Sequence, residues 1–265
     1  MPPSRKAREE GESMGSSVLE AKNISVFDSY DALVSGMVDL FVKLADEAVK
    51  ERGKFIVSLS GGSTPKGFYS RLAEKEVSLC VDWSKVVVFF GDERTVPYTS
   101  PDSNQRMITE LLLSKVPLSR ENVFAIQDPD MDPKDAAIGY ERSMREYFRL
   151  SGEELPQFDF MLLGLGDDGH TASLFPGSPA LSETGRWFVD NKVEKLNTVR
   201  LTTTYPVINN SRHIVFLASG KSKASVLKDV LTGPEGKYPS QNVKAENGKL
   251  YWYLDRDIAS ELEGV

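Results

Sequence analysis

The run Phe158 to Pro179, FDFMLLGLGDDGHTASLFPGSP, puts one of only two histidines just past an apolar stretch and inside a glycine-rich loop. Histidine changes charge near neutrality, so His170 is a candidate general base and Asp168, two residues earlier, a candidate to orient it. Water activated in this way could attack a reactive ester without a covalent intermediate. Three other segments offer anion binding or carbonyl polarisation. In FIVSLSGGSTPKGFYSRLAE an apolar run passes through Gly61 and Gly62 into a predicted helix, with Thr64 as N-cap and Pro65 at the first helical position. Free backbone N–H groups there, with the Ser63 and Thr64 hydroxyls, suit a phosphate, and an ordinary capped turn is the plain alternative. HIVFLASGKSKASVLKDVL repeats the pattern. It sets Lys221 and Lys223 in a first helical turn, where cations are unfavourable unless an anion joins them. It is not a P-loop, because the glycine required five residues before Gly220 is Val215. VVVFFGDERTVPYTSPDSNQRM leads directly from a strand into Gly91, Asp92, Glu93 and Arg94. Arg94 could hold a phosphate or polarise a carbonyl oxygen and Asp92 could orient a sugar hydroxyl, while structural pairing of Asp92 or Glu93 with Arg94 stays open.

The absent motifs narrow the chemistry. There is no G-x-S-x-G elbow, no H-E-x-x-H and too little histidine for a His-rich metal site. Gly164, Gly166 and Gly169 match G-x-G-x-x-G, with Asp190 about 20 residues further on. Pro176 cuts the helix that a dinucleotide site would need, so that reading is rejected. His213 opens a strand and reads as structural. Cys80 is the only cysteine, which excludes an internal disulfide framework and a cysteine zinc site and suits a reducing compartment; it is expected to pack. A net charge of -7 and a pI near 5.1 argue against nucleic acid, so an anionic substrate must find a local positive site. No stretch approaches a membrane span, and no hydrophobic signal core opens the chain. Neither metal nor cofactor is expected, and the default location is cytoplasmic.

These residues need a scaffold of alternating strands and helices. Strands are predicted at 24–27, 55–59, 86–90, 123–126, 160–163, 187–193, 199–203, 214–218 and 250–254. Helices are predicted over about 30–52, 65–76, 103–115, 134–150 and 222–231, with a short one at Thr171 to Phe175. Asp132 and Pro133 form a good helix start. The alternation implies an α/β fold, three-layer and Rossmann-like, with a mostly parallel sheet and helices on both faces. His170 then lies at the carboxyl end of a strand, where open parallel sheets bind their ligands. The opening MPPSRKAREEGESMGSS is too polar to offset the entropy of ordering. Residues 1–22 therefore read as a flexible tail before a single domain over 23–265.

The segments SLSGGSTP, FFGDERTVP with SNQRM, LLGLGDDGHTASLFPG, RLTTTYPVIN, FLASGKSKA and GKLYWYLD, in that order, resemble the 6-phosphogluconolactonase family of the glucosamine/galactosamine-6-phosphate isomerase superfamily. The resemblance covers about Asn23 to Asp255. It implies a Rossmann-like fold and metal-free hydrolysis of 6-phospho-D-glucono-1,5-lactone to 6-phospho-D-gluconate, the second step of the oxidative pentose phosphate pathway. By the same resemblance His170 matches the base for water, Asp168 its partner, and Arg94 a substrate-binding or oxyanion residue. Ser63, Thr64 and Lys223 match phosphate-binding positions, with Arg200 a further candidate; Lys221 is a departure that leaves open which lysine reaches the phosphate. The implied partner is a small sugar-phosphate lactone, with neither nucleic acid nor membrane, acting on a monomer or small homo-oligomer. Two rivals share features. Glucosamine-6-phosphate deaminase resembles the SGGSTP turn and the DGH loop but carries N-E-P-G where this chain has Leu174, Phe175, Pro176 and Gly177. A sugar-phosphate sensor would need an attached DNA-binding module, for which the opening tail is too short and too acidic.

Overall fold

The computed structural model describes residues 23–126 and 132–262. Its strands are β1 (Ile24–Phe27), β2 (Phe55–Leu59), β3 (Val86–Phe90), β4 (Asp92–Arg94), β5 (Phe160–Leu163), β6 (Phe188–Val193), β7 (Thr198–Thr203), β8 (His213–Ala218) and β9 (Lys249–Asp255). Its α-helices are α1 (Tyr30–Arg52), α2 (Pro65–Leu72), α3 (Lys75–Ser78), α4 (Asn104–Ile108), α5 (Pro133–Phe148), α6 (Tyr205–Asn209) and α7 (Ala224–Thr232).

Six strands form one sheet in the order β1-β9-β8-β5-β2-β3, every pairing parallel. The central strands read as apolar runs because both of their faces are covered. On one face Phe41 of α1 meets Phe55, Phe68 and Phe160 edge-on at 5.1, 5.7 and 5.3 Å. The other face follows from strand alternation: Phe89 points away from Val88 and Phe90 and packs on Tyr147 and Phe148 of α5. Helix α1 supplies a stripe of buried residues, Leu33, Met37, Phe41, Leu44 and Ala48, at helical spacing. Ser29 caps its start, its Oγ accepting from the Ala32 N–H at 3.2 Å, and Gly53 at φ 76° ends it.

At Gly91 the chain leaves the parallel sheet. Its N–H still donates to Leu59 O (2.9 Å), while its C=O accepts from the N–H and the hydroxyl of Thr203 (2.9 and 2.8 Å). Beyond it β4 joins a second, antiparallel sheet of order β4-β7-β6. The strands expected at 187–193 and 199–203 thus exist, but outside the parallel sheet.

Other expectations need local correction. The helix expected over 65–76 breaks after Leu72 and resumes briefly as α3. The one over 103–115 is α-helical only through Ile108 and widens into a π-turn over Thr109–Leu113. The strand at 123–126 is reduced to a single bridge between Val88 and Val123. Thr171 to Phe175 is no helix. Ala172 takes φ 47°, and Thr171 bridges Leu174, closing a tight turn. Cys80 is exposed rather than packed, its Sγ 3.4 Å from Glu76 O, because α3 ends on the surface. The tail expected over 1–22 lies outside the described residues.

Candidate active site

The loops after β8, β5, β2 and β3, four neighbouring strands, open on one cleft of about 260 Å³. It brings together Gly61, Gly62, Ser63 and Thr64 from β2, Asp92 and Arg94 from β3 and β4, His170 from β5, and Lys223 from β8. Arg94 and His170 also line an adjoining recess with Asp168, Lys195 and Arg200. Every catalytic or substrate-binding candidate named from the sequence borders one of the two spaces except Lys221, which is exposed and lines neither.

The base is held from several sides. His170 Nδ1 lies 2.5 Å from Asp168 Oδ1, and its backbone N–H donates to the same oxygen at 3.3 Å. Lys195 Nζ donates to Asp168 Oδ2 at 2.9 Å. Burial alone would raise the Asp168 carboxyl, but the hydrogen bonds from Lys195 and His170 outweigh it and hold the group at about 2. An ionised carboxylate only accepts, so Nδ1 carries a proton, and in the neutral imidazole Nε2 is the atom with the lone pair. Among the described residues no side chain or backbone group bonds Nε2. Gly166 is required here, since a Cβ at that position would run into the imidazole. Its N–H donates to His170 O at 2.9 Å, closing the loop.

The opposite half of the cleft is built around α2. Gly62 takes φ 103°, turning the backbone toward the helix start. Thr64 holds the N-cap position, yet its hydroxyl makes no capping bond and borders the cleft instead. Tyr30 fixes this turn from behind, donating to Thr64 O (2.7 Å) while accepting from the Gly67 N–H (3.1 Å). Across the cleft Gly220 at φ 99° begins a short 3₁₀ turn over Lys221–Lys223 that delivers the second lysine, not the first, to the cavity. Asp255 pins that turn, accepting from Ser219 Oγ (2.5 Å) and the Gly220 N–H (3.2 Å).

Neither acidic residue pairs with the Arg94 guanidinium. Glu93 points inward, its two oxygens accepting from the N–H groups of Arg94, Asn104 and Gln105 (2.7–2.8 Å) and from Ser103 Oγ (3.1 Å), so it caps α4 from a neighbouring strand. Asp92 accepts from Ser173 Oγ (2.8 Å) and from the Asn104 amide (3.3 Å). Arg94 itself donates to Asp102 O at 2.6 Å. It stands directly opposite Arg200 in the antiparallel register. Two like charges across a strand pair cost roughly 0.2–1 kcal/mol, and Arg200 Nε is buried with no partner. Burial, then the Arg94 charge, pulls the Arg200 guanidinium below its ordinary value. A bound anion would offset this repulsion.

Sequence reasoning passed over Lys195, Asn104 and Phe175. Lys195 is a contact across the fold, and Phe175 reaches His170 only through the tight turn at Thr171–Leu174, so neither carries a local signal. Asn104 stood inside the SNQRM run, and its link to Gly61, where a Cβ would strike the Asn104 carboxamide, is visible only in three dimensions. His213 is structural as expected, with Nδ1 2.8 Å from Asp159 O. Burial lowers its imidazole below the usual range.

Residues 28–252 match the family of glucosamine-6-phosphate isomerases/6-phosphogluconolactonase. The chain belongs to that family. A 6-phosphogluconolactonase of Nostoc sp. is 37% identical over 244 residues, spanning 91% of this chain and 98% of the relative. One of Arabidopsis thaliana, named chloroplastic, is 36% identical over 250 residues, covering 92% and 76%. Among solved structures, the 6-phosphogluconolactonase from Trypanosoma cruzi superposes with a TM-score of 0.81 at 31% identity, covering 91% of this chain and 96% of that one.

Proposed function

We propose that the chain hydrolyses 6-phospho-D-glucono-1,5-lactone to 6-phospho-D-gluconate. The observation that carries the reading is the Asp168–His170 pair, which engages Nδ1 and leaves Nε2 without a protein partner among the described residues, in a cleft with two cationic ends. The α2 start, with Ser63, Thr64 and Lys223, holds the phosphate, and Asp92 and Arg94 meet the sugar ring. His170 takes a proton from water through Nε2 as the oxygen attacks the lactone carbonyl. Arg94 stabilises the oxyanion, with Arg200 beside it. When the carbonyl re-forms, the ring C–O bond breaks and the imidazolium returns the proton to the departing ring oxygen. A δ-lactone is already an activated ester, so the roughly 100- to 10,000-fold typical of a positioned base is a useful share of the task. Phosphate binding away from the carbonyl supplies orientation.

Among the described residues no group of three or more His, Cys, Asp or Glu side chains could hold a metal ion, and no helix is long and apolar enough to cross a membrane. The reading takes a diffusible sugar phosphate as the small-molecule partner and the cytoplasm as its place, with a monomer or small homo-oligomer as the working unit. The deciding assay follows freshly generated lactone against its spontaneous hydrolysis, with a chelator present. Wild type should accelerate it and His170→Ala should lose at least about 100-fold of that acceleration; no acceleration by wild type would sink the reading.

A further inference from the structure

Three interactions define the position of the His170 ring, and two are already accounted for: the Asp168 carboxylate at Nδ1 and the close backbone of Gly166. The third is an aromatic face. Phe175 stacks on the imidazole with ring centroids 4.1 Å apart and an interplanar angle of 22°. Asp168 fixes one ring atom in the plane but leaves rotation about that contact open. A parallel aromatic face removes that freedom, because tilting the imidazole would break the stack. We propose that Phe175 is a positioning residue for the base, setting the imidazole plane so that Nε2 addresses the lactone carbonyl.

The surrounding turn favours this role over incidental packing. Leu174 N–H donates to Thr171 O (2.9 Å) and Ala172 accepts a left-handed φ of 47°, so the chain doubles back and returns residue 175 to the face of residue 170. The turn is then fastened from outside by three buried contacts. Asn191 Nδ2 donates to Ser173 O (2.7 Å), Ser173 N–H donates to Thr202 Oγ1 (3.1 Å), and Ser178 Oγ donates to Phe175 O (2.8 Å). Asn191 and Thr202 are both fully buried on the small sheet. The non-glycine residue at positive φ is strained, and the conformation it permits is the one that closes the stack. Phe175 is itself 8% exposed and borders both the recess beside the cleft and a second cavity of about 300 Å³ behind it. Its ring edge therefore has room for a hydroxyl.

The inference rests on the lactonase reading for its kinetic arm and on geometry alone for its spectroscopic arm. Phe175→Leu keeps an apolar side chain without a flat face. It should lower kcat about 10- to 100-fold, part of the effect of a positioned base, with KM for the lactone and the affinity for 6-phosphogluconate changed by less than about twofold. Phe175→Tyr should restore kcat to within about threefold of wild type. A Phe175→Leu enzyme with wild-type kcat, or one whose affinity for 6-phosphogluconate falls together with kcat and is not rescued by tyrosine, would overturn the proposal. The chain has only two histidines, so His213→Gln assigns both imidazoles by NMR. In folded wild type the His170 ring protons should lie upfield from an unstacked imidazole, with the nitrogen shifts of a single Nδ1–H tautomer. Unshifted ring protons would overturn the stack even if every Phe175 variant failed to fold, and would do so whether or not the protein proves to be a lactonase.

Discussion

At the scale of single residues, the charge on Asp168 settles which proton moves. With its carboxyl held at about 2, below the ordinary 3.8, it stays ionised wherever the enzyme works and can only accept. Its role is then to fix the tautomer of His170. Asp168→Asn offers an amide that can present either end, so kcat should drop about 100-fold or more while KM stays within a few-fold. Linkage gives a second readout. A carboxyl depressed in the folded state contributes stability above its unfolded value and loses it as pH falls through the folded one. The melting difference between wild type and Asp168→Asn should shrink as pH falls from about 4 through about 2; a difference that stays constant across that range would contradict the assigned charge state. The lysines separate cleanly by position. Lys223→Ala should raise KM far more than it lowers kcat, and Lys221→Ala, outside both spaces, should leave KM unchanged. The reverse pattern in steady-state kinetics would exchange their roles.

Elements rather than residues decide how the acidic strand-end works. Glu93 looked in sequence like a partner for Arg94, but it is 4% exposed and spends both oxygens on backbone and hydroxyl donors at the start of α4. Glu93→Gln would set an NH₂ group against two of those donors. Each unsatisfied buried group costs about 1–3 kcal/mol, so chemical denaturation should show a loss of at least about 2 kcal/mol even though Glu93 itself does not line the cleft. An unchanged midpoint would show that the cap is dispensable. The same contrast measures what the sequence could tell. Apolar runs at 55–59, 86–90 and 160–163 declared buried strands, and Ser29 and Gly53 bracketed α1, because periodicity and caps are local signals. The Thr171–Leu174 turn was not legible: its residues suit a helix, and tertiary bonds from Asn191 and Thr202 override that preference. Gly-rich loops announced His170 and the turn at Gly61–Thr64, whereas Lys195 reaches Asp168 from the small sheet's connection and Phe175 returns to His170 through a turn that the sequence does not declare.

For the whole molecule, two sheets with one seam explain how a chain of net charge -7 can hold a dianion. The parallel sheet delivers the base and the α2 turn, and the small antiparallel sheet sets Arg94 and Arg200 side by side at the edge of the same cleft. Because their repulsion is present before any ligand arrives, an anion should stabilise the folded state as a whole. Inorganic phosphate should raise the melting temperature more than chloride at equal ionic strength, and Arg200→Met should blunt the difference. Equal shifts with both salts would mean that general screening alone is at work.

The pairing of β1 has a consequence for how the chain is made. β1 touches no strand but β9, with Ile24 opposite Trp252, so the first strand of the sheet waits for the last before it has a neighbour. On a ribosome the middle of the sheet, β2 with β3 and then β5, can assemble while β1 hangs unpaired, and loop closure across most of the chain comes at the end. A nascent chain halted before Lys249 should therefore be open to proteases at its N-terminal end, and release of the final segment should close the polypeptide into a ring of contacts in one late step.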